Sequence, residues 1–198
     1  MITPDIEPDR LAALAAAAMR GGADALQLRH KSLPRGELLP LARHVRDLTR
    51  AAGVIFVVND HLDLALLSDA DGVHLGPDDL SVEAARRIAG DRLLIGASAS
   101  AATTALAAIE SGADYIGCGP AFATPLKPQK EVIGPRGVAQ VTDAVGPAVP
   151  VFAIGGIDES NISELTSAGL RRVCVVRAVG ESPDPESAAR RLRTILVG

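Results

Sequence analysis

Two apolar runs in this chain break abruptly into acid: IFVVN ends at Asn59-Asp60, and GVHLG is followed by Asp78-Asp79. Both runs read as strands, and paired strands stand about 4.8 Å apart. Asp60 and one of the later acids can therefore approach each other at neighbouring strand ends. Two carboxylates that close repel unless a cation lies between them. A hard divalent ion such as Mg²⁺ is held by one or two carboxylates together with substrate phosphates. The chemistry does not by itself separate Asp78 from Asp79, and helix capping by solvated acids is the competing account.

Other polar groups sit at similar positions. In QLRHK the strand alternation puts Gln27, Arg29 and Lys31 on one face, with Leu26 and Leu28 on the other. One amide and two cations on a common face suit a planar polar ligand carrying an anion. Further along, Thr124 and Lys127, with Lys130 beyond, place a hydroxyl and an ammonium on a loop, which a phosphate or departing pyrophosphate requires. Gly155-Gly156 and the backbone after Val176 read as a phosphate cradle of exposed amides. The four histidines, His30, His44, His61 and His74, have no metal-ligand spacing, and no Ser/His/Asp or Cys/His arrangement is legible. Nucleophilic catalysis has no support.

The elements that must position these groups alternate. Strands are predicted at ADALQLR, VIFVVN, DGVHLG, RLLIGAS, DYIGCG, VPVFAIGG and RRVCVVRAV. Eight helices flank them, the first over DRLAALAAAAMR and the last over PESAARRLRTIL; in SVEAARRIAG, Ser81 is the N-cap and Gly90 the C-cap. Short apolar runs separated by helices indicate a parallel sheet covered on both faces. Seven strands and eight helices predict an α/β fold, a TIM (β/α)8 barrel over residues 1–198 as one domain, with the first strand short or incomplete at Met1-Ile2-Thr3. A G-x-G-x-x-G turn after the first strand, which an open dinucleotide-binding sheet would carry, is absent. In a barrel the chemistry belongs at the carboxyl ends of the strands, where QLRHK, Asn59-Asp60, Asp78-Asp79, the Thr124 loop and Gly155-Gly156 fall.

Composition narrows the function further. A net charge of −4 leaves no basic stripe for nucleic acid, and basic residues fall singly at motif ends, as a small phosphorylated substrate would want. Cys118 and Cys174 are far apart, each inside an apolar run, which predicts reduced thiols in a cytoplasmic protein. No apolar span is long enough to cross a membrane. The composition is compatible with a homo-oligomer.

Taken in order, QLRHK, ND-x-x-DLAL, ADGVHLG-x-xDL, IGAS, ADYIGCGPAFATPLK, AIGGI and VVRA resemble the thiamine phosphate synthase family, from about Ala23 to Val179. The resemblance implies a TIM barrel that joins a hydroxymethylpyrimidine diphosphate to a thiazole phosphate, with magnesium bound and pyrophosphate released. It implies that the QLRHK run (Gln27, Leu28, Arg29, His30, Lys31), Asn59 and Ser98 bind the pyrimidine diphosphate. Asp60 and Asp79 would hold Mg²⁺, and Lys127 and Arg29 would act as catalytic cations. The loop Thr124-Pro125-Leu126, with Gly156, Val176 and Arg177, would hold the thiazole phosphate, while Lys127 would bind the pyrimidine diphosphate and neutralise the departing pyrophosphate.

Three positions depart from the family pattern: Pro77 stands where Gln is usual, Leu126 where a second Thr is common, and Ser100 where His is frequent. Two other readings follow. One is the thiazole tautomerase branch of the same superfamily, which the pattern resembles less because that branch tends to have His at Gly119 and lacks the Asp60/Asp79 pair. The other is a non-catalytic binder of thiamine precursors.

Overall fold

The structure is a computed structural model and describes residues 1–126, 128–129 and 131–198. Among the described residues, seven strands pair in parallel in the order β1-β2-β3-β4-β5-β6-β7. They are β1 (Ala25–Leu28), β2 (Ile55–Asn59), β3 (Gly72–Leu75), β4 (Leu94–Ala99), β5 (Tyr115–Cys118), β6 (Val151–Ile154) and β7 (Val173–Cys174). The predicted incomplete strand closes the barrel. The Ile2 N–H donates to the Val175 carbonyl beyond β7 (2.9 Å), while Gln27 of β1 donates to the Met1 carbonyl (2.8 Å) and Thr3 donates back to Gln27 (2.9 Å). Ile2 is thus a single parallel bridge to Gln27, joining the two ends of the sheet. The sheet is the TIM-type barrel predicted.

Helices α1 (Pro8–Arg20), α2 (Arg35–Ala52), α3 (Leu62–Leu67), α4 (Val82–Ala89), α5 (Ala102–Glu110), α6 (Gly134–Val145) and α7 (Ile162–Ser167) follow in alternation. A four-residue α8 (Arg177–Gly180) and then α9 (Pro185–Val197) complete the chain. Ser81 caps α4 as expected, its hydroxyl accepting from the Ala84 N–H at 3.2 Å. Gly53 ends α2 in the left-handed conformation, with φ of 67°. Among the described residues no helix is long and apolar enough to cross a membrane.

The last predicted strand needs correcting. It ends at Cys174, and Arg177–Gly180 turns into α8. The run VCVVRAV is apolar enough to read as one strand, and periodicity cannot separate a strand from a strand followed by a single helical turn. Val179, buried to 1% exposure, joins the core from the helix.

Outward side chains of the strands, among them Leu26, Leu28, Phe56, Val58, Val73 and Ile95, pack against the helices and are nearly inaccessible. At the opposite end from the acids, two aspartates pin the strand starts. The Asp71 carboxylate accepts from the Phe56 N–H and from Arg46 Nη1, both at 2.7 Å. Asp114 does the same for Ile95 and Arg86. Asp71→Ala should strand the Phe56 N–H, in a fully buried residue, beside Arg46, whose Nε already lacks a partner among the described residues. The loss expected is about 2 kcal/mol, a drop in Tm of roughly 4–8 °C in a thermal melt. A Tm within a degree of the parent would show that water replaces the carboxylate.

Candidate active site

The carboxyl ends of the strands enclose a cavity of about 690 Å³. Gln27, at the middle of β1, is 8% exposed and points inward, and Arg29 and Lys31 follow it on the same face. The Thr3 hydroxyl fixes this strand end, accepting from the Arg29 N–H (2.9 Å) and donating to the Arg29 carbonyl (3.0 Å). Asp5, which the sequence did not single out, accepts from the Lys31 N–H at 2.7 Å and lies 3.5 Å from Arg29 Nη1.

Asn59 ends β2 in register with His74 of β3. Asp60 then adopts a positive φ of 66°, uncommon for a residue other than glycine, and its N–H donates to the His74 carbonyl at 2.8 Å. Strain of this kind, held by a ladder bond, aims the Asp60 carboxylate back over the mouth. Lys31 Nζ donates to that carboxylate. Asp79 closes the turn after β3 on itself, its carboxylate accepting from the Gly76 N–H at 2.7 Å.

The two acids lean together. Burial pushes the Asp60 carboxyl up, but hydrogen bonds from Lys31 and Asp79 outweigh it and hold it below the ordinary value. Burial, with Asp60 beside it, keeps Asp79 above the ordinary value against the pull of the Gly76 amide. A divalent ion between the two carboxylates would relieve the repulsion that raises Asp79. Asp78 also lines the cavity but is exposed, where Asp79 is half-buried. Among the described residues no third His, Cys, Asp or Glu completes a protein-only metal cage. Two carboxylates so placed could hold a hard ion such as Mg²⁺, which takes one or two carboxylates and fills its shell with phosphate oxygens and water.

The opposite wall is built on glycine. Gly155 and Gly156 follow β6 with φ of 102° and 63°. A Cβ on Gly156 would lie 2.4 Å from the Ala123 carbonyl oxygen, so only glycine lets this turn press against the loop after β5. Phe122 donates to the Gly155 carbonyl (2.9 Å), and Asn161 Nδ2 to that of Gly156 (2.8 Å). Thr124, Leu126, Val176 and Arg177 complete this side of the cavity. Arg177 lies on α8, 3.9 Å from Glu181.

Three predicted site residues fall outside the cavity wall. Leu28 faces the helices in the core, and Pro125 is not among the lining residues. His30 turns under the loop, its Nε2 3.0 Å from the Ile6 carbonyl and its Nδ1 accepting from the Leu33 N–H. Lys127 and Lys130 lie outside the described residues.

Comparison with known proteins decides the family. The family model for thiamine monophosphate synthase matches residues 1–179. The chain belongs to the thiamine monophosphate synthase family. It is 44% identical over 181 residues to a thiamine-phosphate synthase of Chloroflexus aurantiacus, covering 91% of this chain and 82% of the relative. Its identity to a thiamine-phosphate synthase of Saccharopolyspora erythraea is 46% over 193 residues, covering 94% and 86%. The structure of a thiamine phosphate pyrophosphorylase from Pyrococcus furiosus superposes with a TM-score of 0.89 at 37% identity, covering all of this chain and 95% of that one.

Among the wall residues that the sequence passed over are two with polar side chains, His74 and Glu181. His74 faces the cavity between the outward Val73 and Leu75, a placement strand alternation could have flagged. Glu181 reaches the mouth because α8 replaces the end of a strand.

Proposed function

We propose that this chain condenses hydroxymethylpyrimidine diphosphate with thiazole phosphate, giving thiamine phosphate and pyrophosphate. The observation that carries the reading is one cavity with cationic side chains on two sides, in a chain related to thiamine-phosphate synthases. Arg29 and Lys31 stand beside the acid pair on one side, and Arg177 beside the Gly155-Gly156 turn on the other. Two substrates that each carry phosphate need such an arrangement.

Asp60 and Asp79 would hold Mg²⁺. When bound, the ion neutralises the diphosphate and supports its charge as it leaves. Gln27, Asn59 and Ser98 orient the pyrimidine, while Arg29, Lys31 and Lys127 meet the charge that develops on pyrophosphate. The C–O bond to pyrophosphate breaks with its electron pair, and the thiazole nitrogen donates a pair to the pyrimidine methyl carbon. This requires positioning and charge neutralisation and no protein nucleophile. The reading takes residues 1–198 as one barrel domain in the cytoplasm, where Cys118 and Cys174, both unpaired, stay reduced.

The tautomerase alternative is not supported. A Cβ at Gly119 would lie 2.0 Å from the Ile154 carbonyl oxygen, so this backbone has no room for the histidine that branch tends to carry. Expression of the chain in a bacterium lacking its own synthase should restore growth without thiamine. Growth that needs added thiamine phosphate, with the protein present and folded, would contradict the proposal.

Leu126 lines the thiazole side and is 49% exposed, an apolar side chain where the family commonly has a hydroxyl. A hydrogen bond to a charged phosphate contributes about 1.5–3 kcal/mol, and 1.4 kcal/mol is tenfold. Leu126→Thr should lower KM for thiazole phosphate by roughly ten- to a hundredfold and leave KM for the pyrimidine diphosphate unchanged. Steady-state kinetics with each substrate varied in turn checks it; an unchanged thiazole KM means that Arg177 and the glycine amides already satisfy the phosphate.

A further inference from the structure

Inside the barrel, beneath the mouth, three polar side chains form a chain that reaches the cavity only at its upper end. The Tyr115 hydroxyl lies 3.2 Å from His74 Nδ1, and His74 Nε2 lies 3.0 Å from Ser98 Oγ. His74 and Ser98 line the cavity, while Tyr115 sits at the start of β5, largely enclosed. The rings of His74 and Tyr115 are 5.6 Å apart, and Phe152 packs edge-on against Tyr115 at 5.7 Å and 80°.

The sheet register explains how these groups meet. His74, Gly96 and Tyr115 occupy successive cross-strand positions on β3, β4 and β5. A Cβ on Gly96 would lie 2.0 Å from Tyr115 Cζ, so the bare glycine is what lets the phenol reach across β4 to His74. Gly117, opposite Ser98, clears the imidazole in the same way, since a Cβ there would come within 3.0 Å of His74 Cε1.

The direction of the bonds follows from the phenol. Burial holds its pKa above the ordinary value, so it keeps its proton. Among the described residues the acceptor for that O–H is His74 Nδ1. An enclosed donor left unmet is costly, so the O–H donates and Nδ1 is bare. The imidazole proton is therefore on Nε2, which assigns the tautomer from the network, and it is donated to Ser98 Oγ. A hydroxyl that accepts on one side keeps its own hydrogen for the cavity.

We propose that Tyr115 is a positioning residue that, through His74, fixes Ser98 as a hydrogen-bond donor toward the bound ring. The cavity then selects a ring atom with a free lone pair, an unprotonated aromatic nitrogen, and rejects a ring N–H at that point. The identity of the ring as the pyrimidine rests on the synthase reading. The relay itself does not.

Tyr115→Phe tests it, because the ring and its packing stay while the hydroxyl goes. Nitrogen-15 NMR of histidine-labelled protein should show His74 protonated on Nε2 alone in the parent and on both nitrogens in exchange in Tyr115→Phe. KM for the pyrimidine diphosphate should rise about tenfold, the scale of one hydrogen bond, with KM for thiazole phosphate within about twofold. In a Ser98→Ala background, the added Tyr115→Phe change should shift the pyrimidine KM by less than about twofold. A parent His74 protonated on Nδ1, an unaltered tautomer in Tyr115→Phe, or a full tenfold effect without Ser98 would overturn the relay. If the parent turns over neither substrate the synthase reading fails, and the tautomer measurement still decides the relay.

Discussion

Asp79→Ala is expected to lower turnover by about 10³ or more at saturating Mg²⁺ while leaving the fold intact. The carboxylate lies at the rim, only part-buried, and its one backbone bond is to Gly76 within its own turn. Little core packing depends on it. What it supplies is half of the acid pair with Asp60, and a catalytic divalent ion contributes several kcal/mol of charge stabilisation, with 1.36 kcal/mol per tenfold in rate. Excess chelator should abolish parent activity to a similar level. Asp78→Ala, at an exposed position, should be much milder. Circular dichroism separates lost metal binding from lost fold. Full activity for Asp79→Ala, or for the parent in chelator, would sink the metal assignment.

The second large effect is expected at Lys127. Removing one stabiliser of developing negative charge costs about 10²–10³ in kcat at sites of this kind. Lys127→Ala should therefore reduce kcat by at least about 10², with a smaller change in KM for either substrate, since the charge it meets grows only as pyrophosphate leaves. Lys130→Ala should have the weaker effect. Equal losses in the two variants would mean that the loop acts through its total charge and that Lys127 has no particular place.

The barrel was legible because each strand is punctuated. IFVVN stops at Asp60, GVHL at Gly76 and VFAI at Gly155, so the alternation of strand and helix survives in the order of residues. The inward placement of Gln27, Arg29 and Lys31 followed from the two-residue period alone. What failed to show were features that depend on tertiary pairing. The short first strand at Met1-Ile2-Thr3 was expected, but its pairing was not legible: Ile2 alone joins the two ends of the sheet, and one residue leaves no periodicity to read. The α8 turn is hidden inside an apolar run whose last valine is buried from the helix side.

The site divides in the same way. Asp60 could be paired with Asp78 or Asp79 from neighbouring strand ends, and the family resemblance, not the strand pattern, preferred Asp79. The structure adds that the Asp79 carboxylate accepts from the Gly76 N–H. His30, at the centre of a polar run, read as a ligand contact, yet the Ile6 carbonyl and the Leu33 N–H claim both of its nitrogens. The Tyr115–His74–Ser98 chain was invisible because its contacts cross strands at a glycine, and a missing side chain gives no hint of what passes over it.

The joining reaction is open to direct measurement. Purified protein incubated with hydroxymethylpyrimidine diphosphate, thiazole phosphate and Mg²⁺, with products followed by mass spectrometry and pyrophosphate counted separately, tests it most directly. Thiamine phosphate and pyrophosphate should form in equal amounts, and both should be absent when either substrate or the metal is withheld. Pyrophosphate released without thiamine phosphate, or neither product from protein that binds both substrates, would contradict the joining reaction.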